Sequence, residues 1–164
     1  MTNTSRRGPL ISAGIFLGIG LGGFVDGIVF HQILQVHNML SNRIPPSDLV
    51  SVKINMTWDG YFHAGVWAMT VFGLLRLFRA GQQRDVPWSG RTLLGAMIAG
   101  WGLFNLVEGT INHQILGLHH VVESASNKLP PDLAFLASGV IFLLGGSALI
   151  RAASHDAAPR GEAR

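Results

Sequence analysis

The chain has 164 residues, of which 48% are apolar and only 13% are charged, about half the charged fraction of ~25% found in soluble domains. This composition excludes most soluble globular classes and indicates one membrane domain. The absence of cysteine excludes a disulfide framework and metal ligation by thiolates.

Four uncharged runs follow one another along the chain, and a membrane-spanning helix needs about 20 mostly apolar residues. Each run reaches that length once its flanking residues are included. The runs are Gly8–Val25, Gly60–Leu75, Thr92–Val107 and Leu133–Ile150. We therefore predict an all-α fold, an integral membrane four-helix bundle. The alternative of a soluble bundle is disfavoured because these runs leave too little polar surface.

The basic residues predict how the helices are oriented. Nine of the twelve lie in the N-terminal tail, the connection after the second helix and the C-terminal tail. By the positive-inside rule both termini are then cytoplasmic, and the loops at 40–57 and 121–131 face outward. Because the basic residues fit this topology, the pI near 10.2 does not indicate a nucleic-acid partner. The polar tail, 154–164, is predicted to be disordered in the cytoplasm.

The sequence contains an internal duplication. Residues 24–39, FVDGIVFHQILQVHNM, align without gaps with residues 106–121, LVEGTINHQILGLHHV, and seven of the sixteen positions are identical. A Pro-Pro turn follows each copy and leads into a further helix. We predict a single domain over residues 1–153, built from two tandem helix hairpins at about 9–80 and 91–152. The hairpins should be related by a pseudo-two-fold axis along the membrane normal.

Imidazole and carboxylate side chains are predicted to gather at the outward membrane face. Both groups are ligands of zinc, iron and copper, and a cation would neutralise carboxylates that are costly at the edge of the lipid. We therefore predict a centre of two or more transition-metal ions, of copper, iron or zinc. A proton relay and histidines that serve only packing are the alternatives. The candidate ligands are Asp26, His31, His37, Asp59, His63, Glu108, His113, His119 and His120.

The carboxylate and the first histidine of each copy are five residues apart, Asp26 with His31 and Glu108 with His113. On an ideal α-helix this spacing places the two side chains ~140° apart, so they do not face one ion. Three explanations stay open. The helix contains a π-bulge, it loosens at the glycine after each carboxylate, or one residue of each pair orients a histidine of another helix.

The other candidates raise a different question of spacing. Asp59 and His63 are four residues apart and share a helix face, so they are predicted to hold one ion together. The corresponding stretch of the second half, DLAFLA at 132–137, has no histidine. His37 and His119 would lie ~16 Å along a straight helix from their carboxylates. They form a second, more exposed site, or the chain folds back.

Three segments carry a family resemblance: VDGIVFHQILQVHNM (25–39), WDGYFH (58–63) and VEGTINHQILGLHH (107–120). They resemble a family of predicted bacterial integral membrane proteins that is defined as a domain of unknown function. The resemblance covers nearly the whole chain and implies a membrane protein, but it implies no activity. The segment at 113–120 is also weakly similar to the histidine boxes of membrane oxygenases. Its first histidine is spaced differently, so this likeness is an analogy.

Three functions are compatible with these observations. The first is a metal-dependent redox or hydrolytic enzyme that acts on a small or lipid-borne substrate. The second is delivery of a metal such as copper to a respiratory or other membrane complex, which solvent-near histidines at 37, 119 and 120 would favour. The third is a non-enzymatic protein with a structural metal. We favour the redox enzyme, because the two halves have diverged and catalysis requires an asymmetric site. The lipid bilayer and metal ions are the predicted partners.

Overall fold

The computed structural model describes residues 4–153, with side chains from Arg6 onward. These residues form four α-helices: α1 (Thr4–Val25), α2 (Leu49–Gln82), α3 (Gly90–Glu108) and α4 (Leu129–Ala152). All four spans are long and apolar enough to cross a membrane. The predicted all-α membrane bundle is therefore confirmed. The tail at 154–164 lies outside the described residues, and its disorder stays a prediction.

Local sequence signals start each of the later helices. Asp48 caps α2 by accepting hydrogen bonds from the backbone N–H groups of Val50 and Ser51, and Ser89 caps α3 in the same way. Such caps satisfy N–H groups that have no partner within the helix. The two Pro-Pro pairs act differently. The first precedes the cap of α2, whereas the second occupies the first turn of α4, where proline costs no hydrogen bond.

The four helices are arranged around a central pair. α1 packs against α3, α2 packs against α1, and α4 packs against α3; the described residues make no other extensive contact between helices. Half of the most apolar stretch of α1 and of α3 is buried, against 11% for α2 and for α4. Two grooves remain as a result. One lies between α2 and α3, and the other lies between α1 and α4.

Glycines set the distance between the central helices. A Cβ atom at Gly18 would lie 2.0 Å from the Met97 carbonyl oxygen, and one at Gly100 would lie 2.2 Å from the Ile15 carbonyl oxygen. Gly18 and Gly100 occupy equivalent positions in the two repeats. Only glycine permits this approach of two backbones, a common basis of helix packing in membranes. The close crossing brings the C-terminal ends of α1 and α3 together.

Each of the central helices continues into a π-helical segment, which we call π1 (Asp26–Ile33) and π2 (Gly109–Ile115). Their last hydrogen bonds join residues five apart, from Leu34 N–H to the Val29 carbonyl and from Leu116 N–H to the Ile111 carbonyl. Residues five apart then face the same side. Of the three explanations for the spacing of carboxylate and histidine, the π-helical one is observed. The segments are longer than the usual single-turn bulge.

The chain reverses direction directly after each π segment. Gln35 has a φ of 50° and Gly117 a φ of 55°, and these two left-handed residues are equivalent in the duplication. The reversal returns His37 and His119 to the bundle, where they are 3% and 0% exposed. Of the two possibilities for these histidines, the folded-back chain is therefore the one observed.

Candidate metal centre

Six of the nine predicted ligands converge where α1 and α3 continue into π1 and π2, and each is at most 5% exposed. Two overlapping sets have ligand atoms that all lie within 4.8 Å of one another. One set is His31, His37 and His119, and the other is Glu108, His113 and His119. Because His119 belongs to both sets, the six residues form one cluster; the sixth member is Asp26. We call it the central cluster.

Each repeat contributes one carboxylate and two histidines to the central cluster. In the first repeat, Asp26 Oδ2 lies 3.3 Å from His31 Nε2 and Asp26 Oδ1 lies 3.8 Å from His37 Nε2. In the second repeat, Glu108 Oε2 lies 3.1 Å from His113 Nε2 and Glu108 Oε1 lies 2.9 Å from the Nε2 atom of His119. Residues that are aligned in the duplication therefore make equivalent contacts in the cluster.

Two histidines of the cluster are held by the loop of the opposite repeat. His37 Nδ1 donates a hydrogen bond to the Val121 carbonyl (2.9 Å), and His119 Nδ1 donates one to the Met39 carbonyl (3.0 Å). A carbonyl only accepts, so Nδ1 carries a proton in both rings, and Nε2 presents a lone pair whenever the ring is neutral. Burial is the main cause that lowers the pKa of His37 to about 4, and its ring is therefore neutral at pH 7.

A further carboxylate stands behind each of the other two histidines. His31 Nδ1 lies 2.9 Å from Asp59 Oδ1, and His113 Nδ1 lies 3.6 Å from Asp132 Oδ1. Both carboxylates are buried; Asp59 lies in α2, and Asp132 lies in the first turn of α4. A carboxylate that accepts a hydrogen bond from a metal-binding histidine fixes the ring and raises its basicity. Asp59 is placed to do this for His31, whereas His113 Nδ1 has no hydrogen-bond partner.

Sequence reasoning missed Asp132, although the duplication contained the signal. The structure makes Asp132 the counterpart of Asp59, since both follow the loop of their repeat and both accept a hydrogen bond from its backbone. Met39 N–H donates to Asp59 (2.8 Å), and Val121 N–H donates to Asp132 (3.0 Å). Met39 and Val121 are themselves aligned in the duplication. The segment DLAFLA has no histidine, but its first residue, Asp132, supplies the carboxylate that Asp59 supplies in the first repeat.

The central cluster contains buried polar atoms with no hydrogen-bond partner. They are the Nε2 atoms of its four histidines and His113 Nδ1, together with Asp26 Oδ2 and Glu108 Oε2. Buried polar groups are almost always paired, and an unpaired one is costly. In neutral rings that carry the proton on Nδ1, the Nε2 lone pairs face lone pairs of the carboxylates, and a cation between them would relieve that repulsion. The donor set thus fits a metal ion.

Three predicted ligands lie outside the central cluster. The Asp59 carboxylate faces the Nδ1 side of His31, on the far side of the ring from the cluster. His63 Nδ1 donates to the Asp59 backbone carbonyl at 2.7 Å. The structure therefore does not direct the Asp59 carboxylate and the His63 ring toward a shared ion position. His120 Nδ1 lies 2.6 Å from Asp132 Oδ2, and the His120 side chain is 21% exposed.

Three cavities reach the central cluster from different sides. A cavity of about 290 Å³, lined by the loops that follow π1 and π2, reaches His37. An apolar cavity of about 270 Å³ between α2 and α3 reaches Glu108. A second apolar cavity, of about 190 Å³ between α1 and α4, reaches Asp26. The cluster therefore borders the loops and the two grooves of the bundle.

The comparison with known families agrees with this architecture. Residues 13–153 match the model of a family described as predicted membrane protein. The chain belongs to this family, DUF2243. A DUF2243 chain is thus a membrane protein in contact with a lipid bilayer, and the resemblance seen in the sequence is confirmed to that extent. No curated protein and no solved structure matches the chain.

Proposed function

We propose that this protein is a membrane metalloenzyme whose central cluster holds two transition-metal ions and catalyses a redox reaction. The observation that carries the proposal is the set of six buried donor atoms, four imidazole nitrogens and two carboxylate oxygens, which converge without hydrogen-bond partners. The Nδ1 sides of the four imidazole rings support the same interpretation. Two of the rings donate Nδ1–H to a carbonyl. The remaining two rings have a carboxylate behind them.

The ligand set favours iron among the three metals considered. Each repeat offers two histidines and one carboxylate, the combination that non-haem iron enzymes use with open coordination positions. Copper and zinc also bind imidazole and carboxylate. Once bound, the ions would supply electron transfer and activation of a small molecule. The protein's own part is to hold the rings in one tautomer and to keep bulk water from the ligands.

Burial argues against a delivery factor for copper. That function was favoured by solvent-near histidines from which an ion could exchange, but the structure buries His37 and His119. A proton relay is disfavoured for another reason. It requires hydrogen bonds between neighbouring groups, whereas the Nε2 atoms meet the carboxylates outside hydrogen-bond geometry. A merely structural metal leaves two cavities that reach the carboxylates unexplained.

Elemental analysis of the detergent-purified protein tests the metal centre. We expect two equivalents of a transition metal in the wild type, and a loss of at least half in His31→Ala and in His113→Ala. His63→Ala is the matched control, because His63 is a histidine of the same membrane face that hydrogen-bonds within its own helix. A wild-type protein without stoichiometric metal after gentle purification contradicts the proposal. Oxygen-dependent changes in the absorption spectrum would distinguish a redox centre from a structural one.

We also propose that the protein lies in the inner membrane of a bacterium with both termini in the cytoplasm and the central cluster near the outer face. The excess of basic residues near the termini supports this orientation. Because the chain has no cysteine, single cysteines can report it. In intact spheroplasts a membrane-impermeant maleimide should label Ser47→Cys and leave Gln83→Cys unlabelled. The reverse pattern would contradict this orientation.

A further inference from the structure

The groove between α1 and α4 contains a cavity with aromatic walls. Asp26 lies at the cavity, and Asn105 and Ser138 are its other polar residues. Because α1 and α4 make no extensive contact, the groove opens to the side of the bundle, where hydrocarbon surrounds a membrane protein. Its aromatic side chains are Phe30, Trp101, Phe135 and Phe142.

Asn105 carries an unpaired hydrogen-bond acceptor in the wall of this cavity. Its side chain is 4% exposed, and its Nδ2 donates to Ser138 Oγ at 2.9 Å. The Ser138 hydroxyl in turn donates to the Phe135 carbonyl at 2.6 Å, so Ser138 has no second proton for the amide. Asn105 Oδ1 is left without a partner. Such an acceptor is costly in an apolar setting unless a ligand supplies a donor.

We propose that the groove between α1 and α4 binds the ring of a lipid-soluble phenol or hydroquinone, whose hydroxyl group donates a hydrogen bond to Asn105 Oδ1. The ring would pack edge-to-face against the aromatic walls, as Trp101 and Phe142 already do with each other at 5.5 Å. The apolar tail of the ligand would extend into the bilayer. The claim that this ligand is a substrate rests on the proposed redox function, but the binding itself does not require the metal.

The groove between α2 and α3 lacks this amide at the corresponding position. Gly23 occupies the position equivalent to Asn105 and has no side chain. Asn112, which lines that cavity, donates its Nδ2 to Glu108 at 3.4 Å. The two grooves therefore differ in the residue at the position of Asn105, and this difference supplies an internal control.

Fluorescence of Trp101 measures binding in a variant with Trp58, Trp67 and Trp88 changed to Phe, purified in detergent with its metal. The two probes are decyl-hydroquinone and its dimethyl ether, which has the same ring and tail but no hydrogen-bond donor. We expect saturable binding, with the hydroquinone about fivefold to tenfold tighter than the ether, as one buried hydrogen bond provides. Asn105→Leu should reduce that preference to less than twofold.

A pair of bulky substitutions locates the site. Val25 lines the groove between α1 and α4, and its equivalent Val107 lines the other groove. Val25→Phe should abolish binding of both probes, whereas Val107→Phe should preserve the affinity and the preference. Equal affinity for the two probes in the wild type overturns the inference. So does a preference for the hydroquinone that survives Asn105→Leu, or one that is lost only in Val107→Phe.

Metal content, measured on the same samples, separates the two proposals. Protein that contains metal but does not distinguish the probes would contradict the groove alone. Protein that distinguishes the probes but contains no metal would contradict the redox centre alone. Absence of binding in the wild type because a second copy of the chain covers the groove would also overturn the inference, and the oligomeric state in the same detergent would reveal it.

Discussion

The two repeats agree in the residues that touch the cluster and differ in the residues around them. Both supply a carboxylate and two histidines, and both hold one ring by a carbonyl of the opposite loop. In the surroundings, Asn38 corresponds to His120, and Phe30 corresponds to Asn112. A cluster formed by two repeats thus requires only its own residues to correspond between the repeats. The residues around it can differ from one repeat to the other.

The carboxylates behind the rings show the same divergence. Asp59 lies 2.9 Å from His31 and accepts a further hydrogen bond from Asn38 at 3.0 Å. Asp132 instead lies closest to His120, at 2.6 Å, and is 3.6 Å from His113. The second repeat therefore holds its ring less firmly than the first. In the proposed two-ion centre, an uneven environment of this kind would give the two ions different reactivity.

The largest effect should follow from removal of the histidine that belongs to both ligand sets. We expect His119→Ala to lose nearly all bound metal, whereas His37→Ala should retain about half, since Glu108, His113 and His119 then remain as a set. Metal stoichiometry by mass spectrometry measures the difference. Equal losses in the two variants would show that the cluster acts as one symmetric site.

The next effect concerns the close crossing of α1 and α3. Gly18→Ala and Gly100→Ala should each lower the free energy of unfolding by about 1–3 kcal/mol, because the added methyl group overlaps a backbone carbonyl. Gly65→Ala and Gly145→Ala are the matched controls, since nothing lies within 4 Å of either site. Titration with a denaturing detergent provides the measurement. Similar stability of all four variants would refute the tight crossing.

The carboxylates behind the rings should differ in their contribution to metal affinity. We expect Asp59→Asn to weaken binding by about 10–100-fold, as loss of such a partner does in other metal sites. Asp132→Asn should have a smaller effect, because its contact with His113 is longer. Competition with a chelator of known affinity measures both. A larger effect of Asp132→Asn than of Asp59→Asn would contradict the conclusion that the first repeat holds its ring more firmly.

The smallest effect lies at the two reversals of the chain. Gly117→Ala should destabilise the protein by about 1 kcal/mol, because a residue with a side chain is strained at a φ of 55°. Gln35→Gly should have the opposite sign, since glycine adopts the observed φ of 50° without strain. Unfolding of the two variants in parallel checks both signs. If both variants are destabilised, the left-handed reversal is not the controlling feature.

The sequence predicted the number and type of helices because apolar runs and basic flanks are local features. It also predicted a π-bulge as one of three explanations, because a spacing of five residues between carboxylate and histidine does not place both on one face of an α-helix. The reversal at Gln35 was harder to foresee, because glutamine gives no sign of a positive φ, although Gly117 did. The positions of His63 and His120 depend on hydrogen bonds to Asp59 and Asp132 that form only in the packed protein.

The exchange of hydrogen bonds across the axis has a consequence for biogenesis. His37 needs a carbonyl from the second hairpin, and His119 needs one from the first. When only the first hairpin has been synthesised, the cluster is therefore incomplete, and the His37 ring lacks the hydrogen bond that fixes it. In the proposed metalloprotein, the ions would therefore bind only after the second hairpin is inserted, and a nascent chain truncated before α3 should bind metal weakly.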